Sequence, residues 1–359
     1  MSAKGLADLL NSAPLPSAPA CDSQLEPFIV FRTFCSNRRN RQLYAVCLMC
    51  HSIRSAHEEL HTELRRPPGS LEAEAFEGLV AHIAAAFTPV TVDELVTCSR
   101  TKRRPPDDAV ALTFDDGYAD NLTTALPVLE RHSVPATVYA TTGFIDRTVA
   151  PVEYVLPSLL ESQDAAELVV NGKRHAWDLT DENAKRACWR FLYRHLIAAR
   201  ADEREKILAS CFAHASVRQE TCDWFLDWKG LKTLAASPLI TVGAHSVSHP
   251  DLTQLRRSAA KEEIEQSQRM LNDHLGHSVT HFAYPYGKRD RSTKRAVRRS
   301  GFCSAVLADG GGIDHRSADP FAIPRLEVKD SSFILEANSL CQIQEQLRNR
   351  ASRQSPAIQ

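Results

Sequence analysis

Short apolar runs that end in polar loops alternate with amphipathic helical patterns along most of this chain. That alternation limits its possible folds more than any other feature. "LYAVCLMCHSI" (Leu43–Ile53) reads as a buried strand. The stretch "SLEAEAFEGLVAHIAAAF" follows, with Phe76, Leu79, Val80 and Ile83 at i, i+3, i+4 and i+7, the period of a one-sided helix. A strand is predicted over Ala109–Phe114. The helix after Gly117 turns Leu122, Leu126 and Leu129 to one side, and Pro127 weakens its first half. "VPATVYATTGF" is the next strand. Further on, "LITVGAHSVSHPDL" carries a strand ending near Gly243. "SAAKEEIEQSQRMLNDHLG" is a helix with Ile264, Leu271 and Leu275 inward and Gly276 as its stop. "HFAYPYG" is a strand, "RSTKRAVRRSG" a basic helix, "FCSAVLA" a strand, and "FAIPRLEV" closes the pattern. Strand–helix–strand order predicts βαβ units and a parallel sheet. A single core wrapped this way predicts a closed or nearly closed β/α barrel, whose working residues sit at the C-terminal ends of the strands.

The chain has 359 residues, 43% of them hydrophobic, enough for one decorated barrel. Residues 1–40 are mixed in character and predicted to be poorly ordered. The barrel is expected over 41–346, interrupted by a helical insertion at 150–228 in which Cys188, Phe191, Leu192 and Leu196 share a side. The tail 347–359 is predicted to fray. A net charge of -1 argues against a nucleic-acid partner, which usually demands a basic excess; Arg38, Arg39 and Arg41 read as solvated surface. No apolar run approaches the roughly 18 residues of a membrane span. "MSAKGLADLLNSAPLPSAP" lacks the long apolar stretch of an export signal. A cytoplasmic protein without disulfides is the expectation. Cys47 and Cys50 form a lone C-x-x-C beside His51. A structural zinc site would need a second pair, so both read as buried thiols.

The strand ends carry the chemistry. Asp115 and Asp116 are adjacent carboxylates at the tip of a strand, followed by Gly117, which permits a sharp turn. Neighbouring side chains on a strand diverge, so one carboxylate can bind a cation while the other stays free beside it as a general base. His245 and His249, four apart, can turn two imidazoles to one point. Two imidazoles and a carboxylate make a catalytic metal site with a position open for water. A D-D-G alone is more often a turn, and an H-x-x-x-H alone more often surface or core histidine. Both after barrel-type strands, with "YPYG" after a third, favour a site. Trp224 and Trp228, four apart, read as packing or as a sugar platform.

"TFDDGY", "HSVSHPDL" and "FAYPYG" resemble the leading motifs of the polysaccharide deacetylase family, carbohydrate esterase family 4, also called the NodB-homology domain. The similar region spans about Val110 to Val328. "CLMCHSI" resembles the first-strand segment of members acting on exopolysaccharide, with Cys50 in the place of a tyrosine. The resemblance implies a distorted (β/α)7 barrel and a divalent metal, zinc most often, with cobalt, nickel or manganese able to serve. It implies Asp115 as catalytic base and Asp116, His245 and His249 as metal ligands. Ser246 would support the loop, and the Tyr286 backbone N–H would help hold the oxyanion. The implied reaction is metal-assisted removal of N-acetyl groups from amino sugars, with a carbohydrate as the partner. Two departures stand out. The third motif lacks the arginine that orients the base, for which Arg325 in "IPRLEV" is the candidate substitute. The late L-x-H motif that supplies the general acid is missing, which leaves His315 and His51 open for that role. Deformylation or another amide hydrolysis on the same barrel, or a silent carbohydrate-binding scaffold, are the alternatives.

Overall fold

The computed structural model describes residues 45–54, 69–170, 172–212, 224–313, 319–328 and 342–343. The predicted N-terminal segment 1–40 and tail 347–359 lie outside the described residues, as does His315. The strands β1 (Ala45–Cys50), β2 (Ala109–Asp116), β3 (Ala136–Ala140), β4 (Ile240–Ala244), β5 (His281–Ala283), β6 (Ser304–Val306) and β7 (Leu326–Glu327) form one parallel sheet in the order β6-β5-β4-β3-β2-β1-β7. The short strand Thr88–Pro89 pairs with Ala109 and Val110, below the point where β3 joins β2. Ile323 bridges Val306 of β6 in parallel, and further along the same stretch Leu326 pairs with Leu48 of β1. That stretch spans both edges and curls the sheet into the predicted distorted barrel. Between strands lie α1 (Ala73–Ala86), α2 (Val92–Thr101) and α3 (Leu126–His132). Then come α4 (Val152–Ser162), α5 (Glu182–Ile197) and α6 (Ala201–Cys211), followed by α7 (Trp228–Ala235), α8 (Arg257–Leu275) and α9 (Arg291–Arg299). No helix among the described residues is long and apolar enough to cross a membrane.

Both faces of the strands are covered, so they read as continuous apolar runs. Side-chain alternation then sorts them. Ala45, Cys47, Ala109, Ala111, Tyr139, Ala283 and Val306 share the barrel interior. Val46, Leu48, Cys50, Val110, Leu112 and Phe114 pack outward into the layer of helices. Phe76 of α1 meets Phe114 edge-on at 5.7 Å. Cys47 and Cys50 therefore belong to opposite faces and are free thiols. Burial pushes the Cys47 thiol up to about 12, which leaves it inert. The small inward residues leave room for two large buried side chains, Tyr139 and Arg325.

Two local differences from the sequence expectation have physical causes. β3 stops at Ala140 rather than running to Phe144. Thr142–Ile145 is a helical turn instead, because the Thr142 and Gly143 N–H groups donate to Ser246 O (3.2 Å) and Val247 O (2.8 Å). The segment α4–α6 also contains an antiparallel ribbon, Ala165–Val170 with Lys173–Asp178. Only Ala165–Val170 alternates buried residues with more exposed ones, and Lys173–Asp178 has none buried, so the pattern is too brief to stand out. The Asn171–Gly172 dipeptide between them is a strong hairpin signal. Leu156, Leu160, Leu168, Leu192, Leu196 and Ile207 give this segment a core of its own. At Pro127 the weakened first half predicted for the helix appears as a π-type turn, Asn121–Ala125. α3 starts beside the proline, where no N–H is needed.

Gly243 shows how tightly the interior is filled. A Cβ there would sit 2.4 Å from the Tyr139 ring and 3.1 Å from His281 O. The Arg325 guanidinium lies over that ring, 5.4 Å from its centre, so the ring cannot retreat freely. Gly243→Ala is expected to lower stability by about 1–3 kcal/mol through overpacking, read as a drop in thermal midpoint. A midpoint equal to that of the parent protein would contradict this packing.

Candidate active site and metal centre

Asp115 has the inward parity of Ala109 and Ala111, so it points into the barrel mouth. Asp116 leaves the pleat: its φ of 73° and that of Gly117, 83°, turn the chain sharply. A non-glycine residue pays for that conformation, and such strain gathers where a side chain must be aimed. Ser246 (64°), His249 (51°) and Tyr286 (58°) lie in the same region of backbone space around the same mouth. The two loops after β4 and β5 are thus as contorted as the carboxylate tip.

Three ligand-type atoms converge. Asp116 Oδ1 lies 3.8 Å from His245 Nε2 and 3.6 Å from His249 Nε2, and the two Nε2 atoms are 3.2 Å apart. His245 Nδ1 donates to Ala283 O at 2.8 Å, which fixes the tautomer and leaves Nε2 as a bare lone pair facing inward. Asp116 Oδ1 is buried and has no hydrogen-bond partner among the described residues. Burial pushes the Asp116 carboxyl up, and the neighbouring charges of Asp115 and Glu153 push the same way. Burial holds both histidines below their usual range. At His249 the charges of His245 and Arg204 add to that effect; at His245 the charge of Asp115 opposes it. An orphaned carboxylate oxygen facing two neutral imidazoles is a donor set that a small divalent cation satisfies. Tetrahedral ligation at about 2.0–2.2 Å puts ligand atoms roughly 3.4 Å apart, close to the edges of this triangle. The residues fit the metal that the resemblance implies.

Asp115 is held differently. Arg325 Nη1 donates to Oδ1 at 2.7 Å and Nη2 to Oδ2 at 2.6 Å, a two-pronged pair that is 0% and 5% exposed. The same guanidinium donates to Thr113 Oγ1 (3.0 Å) and Leu307 O (2.7 Å), which fixes its orientation. Burial alone would raise the Asp115 carboxyl. The charge and hydrogen bonds of Arg325, with smaller help from His245 and His51, outweigh it and leave Asp115 well below the usual carboxylate range. Asp115 Oδ2 faces the triad, 3.8 Å from His245 Nε2.

The histidine loop is pinned from several sides. Ser246 Oγ accepts from the His249 N–H (3.1 Å). Glu263 of α8 accepts from the Val247 and Ser248 N–H groups (3.0 and 2.8 Å) and from Ser248 Oγ (2.7 Å). Arg204 of α6 donates to Ser248 O (2.6 Å) and His249 O (3.0 Å). Asp251 takes a hydrogen bond from Lys288 just past the third motif, at 2.8 Å. The Tyr286 hydroxyl donates to Glu153 Oε1 of α4 at 2.9 Å and lies 3.3 Å from His249 O. Glu263, Arg204 and Glu153 were not picked out from the sequence. Glu263 and Arg204 do leave a trace there. Each is a charge on the inward stripe of its helix, Glu263 beside Ala260, Ser267 and Leu271, Arg204 beside Ile207 and Cys211.

The two tryptophans part ways. Trp224 meets Tyr154 edge-on at 4.6 Å, within an aromatic group that includes Tyr118, Phe144 and Phe225. Trp228 donates to Asp146 and stacks on His274 at 3.7 Å. His51 follows β1 directly. Cys50 pairs with Phe114, so His51 stands level with Asp115.

The sequence profile of the polysaccharide deacetylase family matches residues 102–187 and 201–305, more than half of the chain. The chain belongs to the polysaccharide deacetylase family. A relative from Bacillus subtilis (strain 168), the protein YxkH, named as a polysaccharide deacetylase, is 21% identical over 281 residues, 78% of this chain and 70% of that one. Among solved structures, the deacetylase shares its fold with the Streptococcus pyogenes deacetylase PplD. The TM-score is 0.52 at 16% identity, covering 80% of this chain and 92% of that one. IcaB from Ammonifex degensii matches with a TM-score of 0.52 at 16% identity, covering 86% and 98%. A de-N-acetylase from Aggregatibacter actinomycetemcomitans matches with a TM-score of 0.52 at 14% identity, covering 81% and 98%. At these identities the likeness is one of fold, and the roles of individual residues rest on the site.

Proposed function

We propose that this deacetylase is a metal-dependent hydrolase that removes N-acetyl groups from amino sugars of a polysaccharide, oligosaccharide or saccharide precursor related to exopolysaccharide. The observation that carries the reading is the convergence of Asp116, His245 and His249 beside a carboxylate that Arg325 keeps ionised. Asp116, His245 and His249 would hold a divalent ion, zinc in the first instance. When bound, such an ion polarises a carbonyl and acidifies water at neutral pH.

The protein's own groups carry the remaining work. Each Asp115 oxygen keeps a second lone pair after its bond to Arg325, so Oδ2 is free to take the proton released as water attacks the acetyl carbon. Tyr286, which has a left-handed backbone and lies against His249, would offer its backbone N–H to the developing oxyanion, as the resemblance implies. Arg325 serves as the orienting arginine that the third motif lacks. His51 is assigned the proton to the departing amine. It stands level with Asp115, its Nδ1 is buried without a partner among the described residues, and its charge acts on Asp115, His245 and His249. The likeness of "CLMCHSI" to exopolysaccharide-type members supports that substrate class. The missing arginine and general-acid motifs motivate the alternative of a silent carbohydrate-binding scaffold; the Arg325–Asp115 pair supports catalysis over it.

Elemental analysis joined to acetate release from an N-acetylglucosamine oligomer tests the reading. Asp116→Ala and His249→Ala should each lose the metal and release acetate at least about 100-fold more slowly. Metal content unchanged in both variants would refute the ligand assignment. Activity on formyl amides with none on acetylated sugars would transfer the site to deformylation.

A further inference from the structure

We propose that the segment Val152–Phe212 is a brace for the metal centre, with Arg204 as its positioning residue. The inference rests on the ligand assignment above and extends it to residues that touch no ligand.

Arg204 is 4% exposed, and no carboxylate among the described residues pairs with it. Nε donates to Leu196 O (2.8 Å) and Ala199 O (3.0 Å), carbonyls at the end of α5. Nη1 and Nη2 donate to Ser248 O (2.6 Å) and His249 O (3.0 Å). A buried cation is costly, and one satisfied only by carbonyls needs all of them in place. One planar group thus ties the helical segment to the loop that carries both histidines. Its fork suits this task, because an ammonium group lacks the fixed geometry to serve two carbonyl pairs at once.

The loop needs such a hold. Ser246 and His249 both have left-handed backbones, which relax unless their surroundings fix them. Glu263 grips the N–H groups of residues 247 and 248 from the barrel side. Arg204 grips the C=O groups of residues 248 and 249 from the other side. The Ser248–His249 stretch is stretched between an anion on α8 and a cation on α6. Two further contacts tie the same elements: Asp251 N–H donates to Ile197 O of α5 at 2.7 Å, and Tyr286 donates to Glu153 of α4. Each of the three helices of the segment thus reaches a loop of the mouth. Residues that orient metal ligands typically change metal affinity by about 10–100-fold when removed.

The test is Zn2+ affinity of the full-length protein, by competition with a chromophoric chelator, for the parent, Arg204→Met, Arg204→Lys and His249→Ala. Circular dichroism and thermal melting of each metal-free variant report folding. Both Arg204 variants should fold and bind Zn2+ at least about tenfold more weakly. A residue that merely supports the helical segment would lower the melting temperature and leave the affinity of the folded protein alone. Folded Arg204 variants that bind Zn2+ within about twofold of the parent would overturn the inference. Should Arg204→Met not fold, Arg204→Lys, which keeps the charge and the stem, decides by the same criterion. Parent-like Zn2+ binding by His249→Ala would instead overturn the ligand assignment itself, a separate outcome.

Discussion

Arg325→Met should cost the folded protein about 3–5 kcal/mol, measured by urea denaturation of metal-free protein. The substitution leaves Asp115 buried and ionised with no counter-charge, the most expensive way to break an ion pair. The pair is 0% and 5% exposed, so solvent cannot take over. The cost has a pH signature. In the parent, the Asp115 carboxyl is held below its unfolded range, so the pair contributes fully above the unfolded carboxylate pKa. That contribution fades only as the solution is acidified through the depressed folded value. In the variant, burial outweighs the smaller effects of His245 and His51 and raises the carboxyl, which disfavours folding as the pH rises and the group must ionise. The gap between parent and variant should therefore be widest near about pH 7 and narrow steadily as the pH falls below the unfolded carboxylate range toward the depressed folded value. A gap that does not change with pH would show that Arg325 acts by packing on Tyr139 and not through Asp115. The same variant should lose acetate release, because the base is no longer aimed.

The contrast between Arg325 and Glu263 marks how far the sequence could be read. The barrel was legible because β1 and β2 are apolar on both faces, and because Gly276 and Gly301 mark helix ends. Asp116, His245 and His249 could be grouped because each follows a strand, and strand ends of a barrel share one mouth. Arg325 could be nominated only as a strand-end cation near the mouth, in the stretch that closes the pattern. Its bidentate grip on Asp115 was not legible, since nothing in "IPRLEV" fixes which way a strand-end arginine points. Glu263, Arg204 and Glu153 lie on helices, where a charge usually faces water, and only the third dimension turns them toward the loops. The ribbon in the α4–α6 segment was missed for a different reason. Its alternation covers short strands between stronger helical periods, although the Asn-Gly dipeptide at 171–172 was a signal to be used.

The grip of Arg325 also bears on what kind of base Asp115 can be. A carboxylate held this far below its normal range accepts a proton reluctantly, so it works only on a proton that has already been made acidic. On the proposed assignment, base and metal centre act as one unit, while remaining separable by mutation. Asp115→Asn keeps the size of the side chain and one acceptor for Arg325 but cannot take up a proton. It should lower kcat for acetate release by about 10^2–10^4-fold while leaving Zn2+ content equal to that of the parent. Asp116→Ala should remove both metal and turnover. A crossed result, in which Asp115→Asn loses the metal and Asp116→Ala keeps it, would exchange the roles of the two carboxylates. Turnover by Asp115→Asn within about threefold of the parent would mean that the proton goes elsewhere. His51, level with Asp115 at the end of the neighbouring strand, would then be the group to replace next.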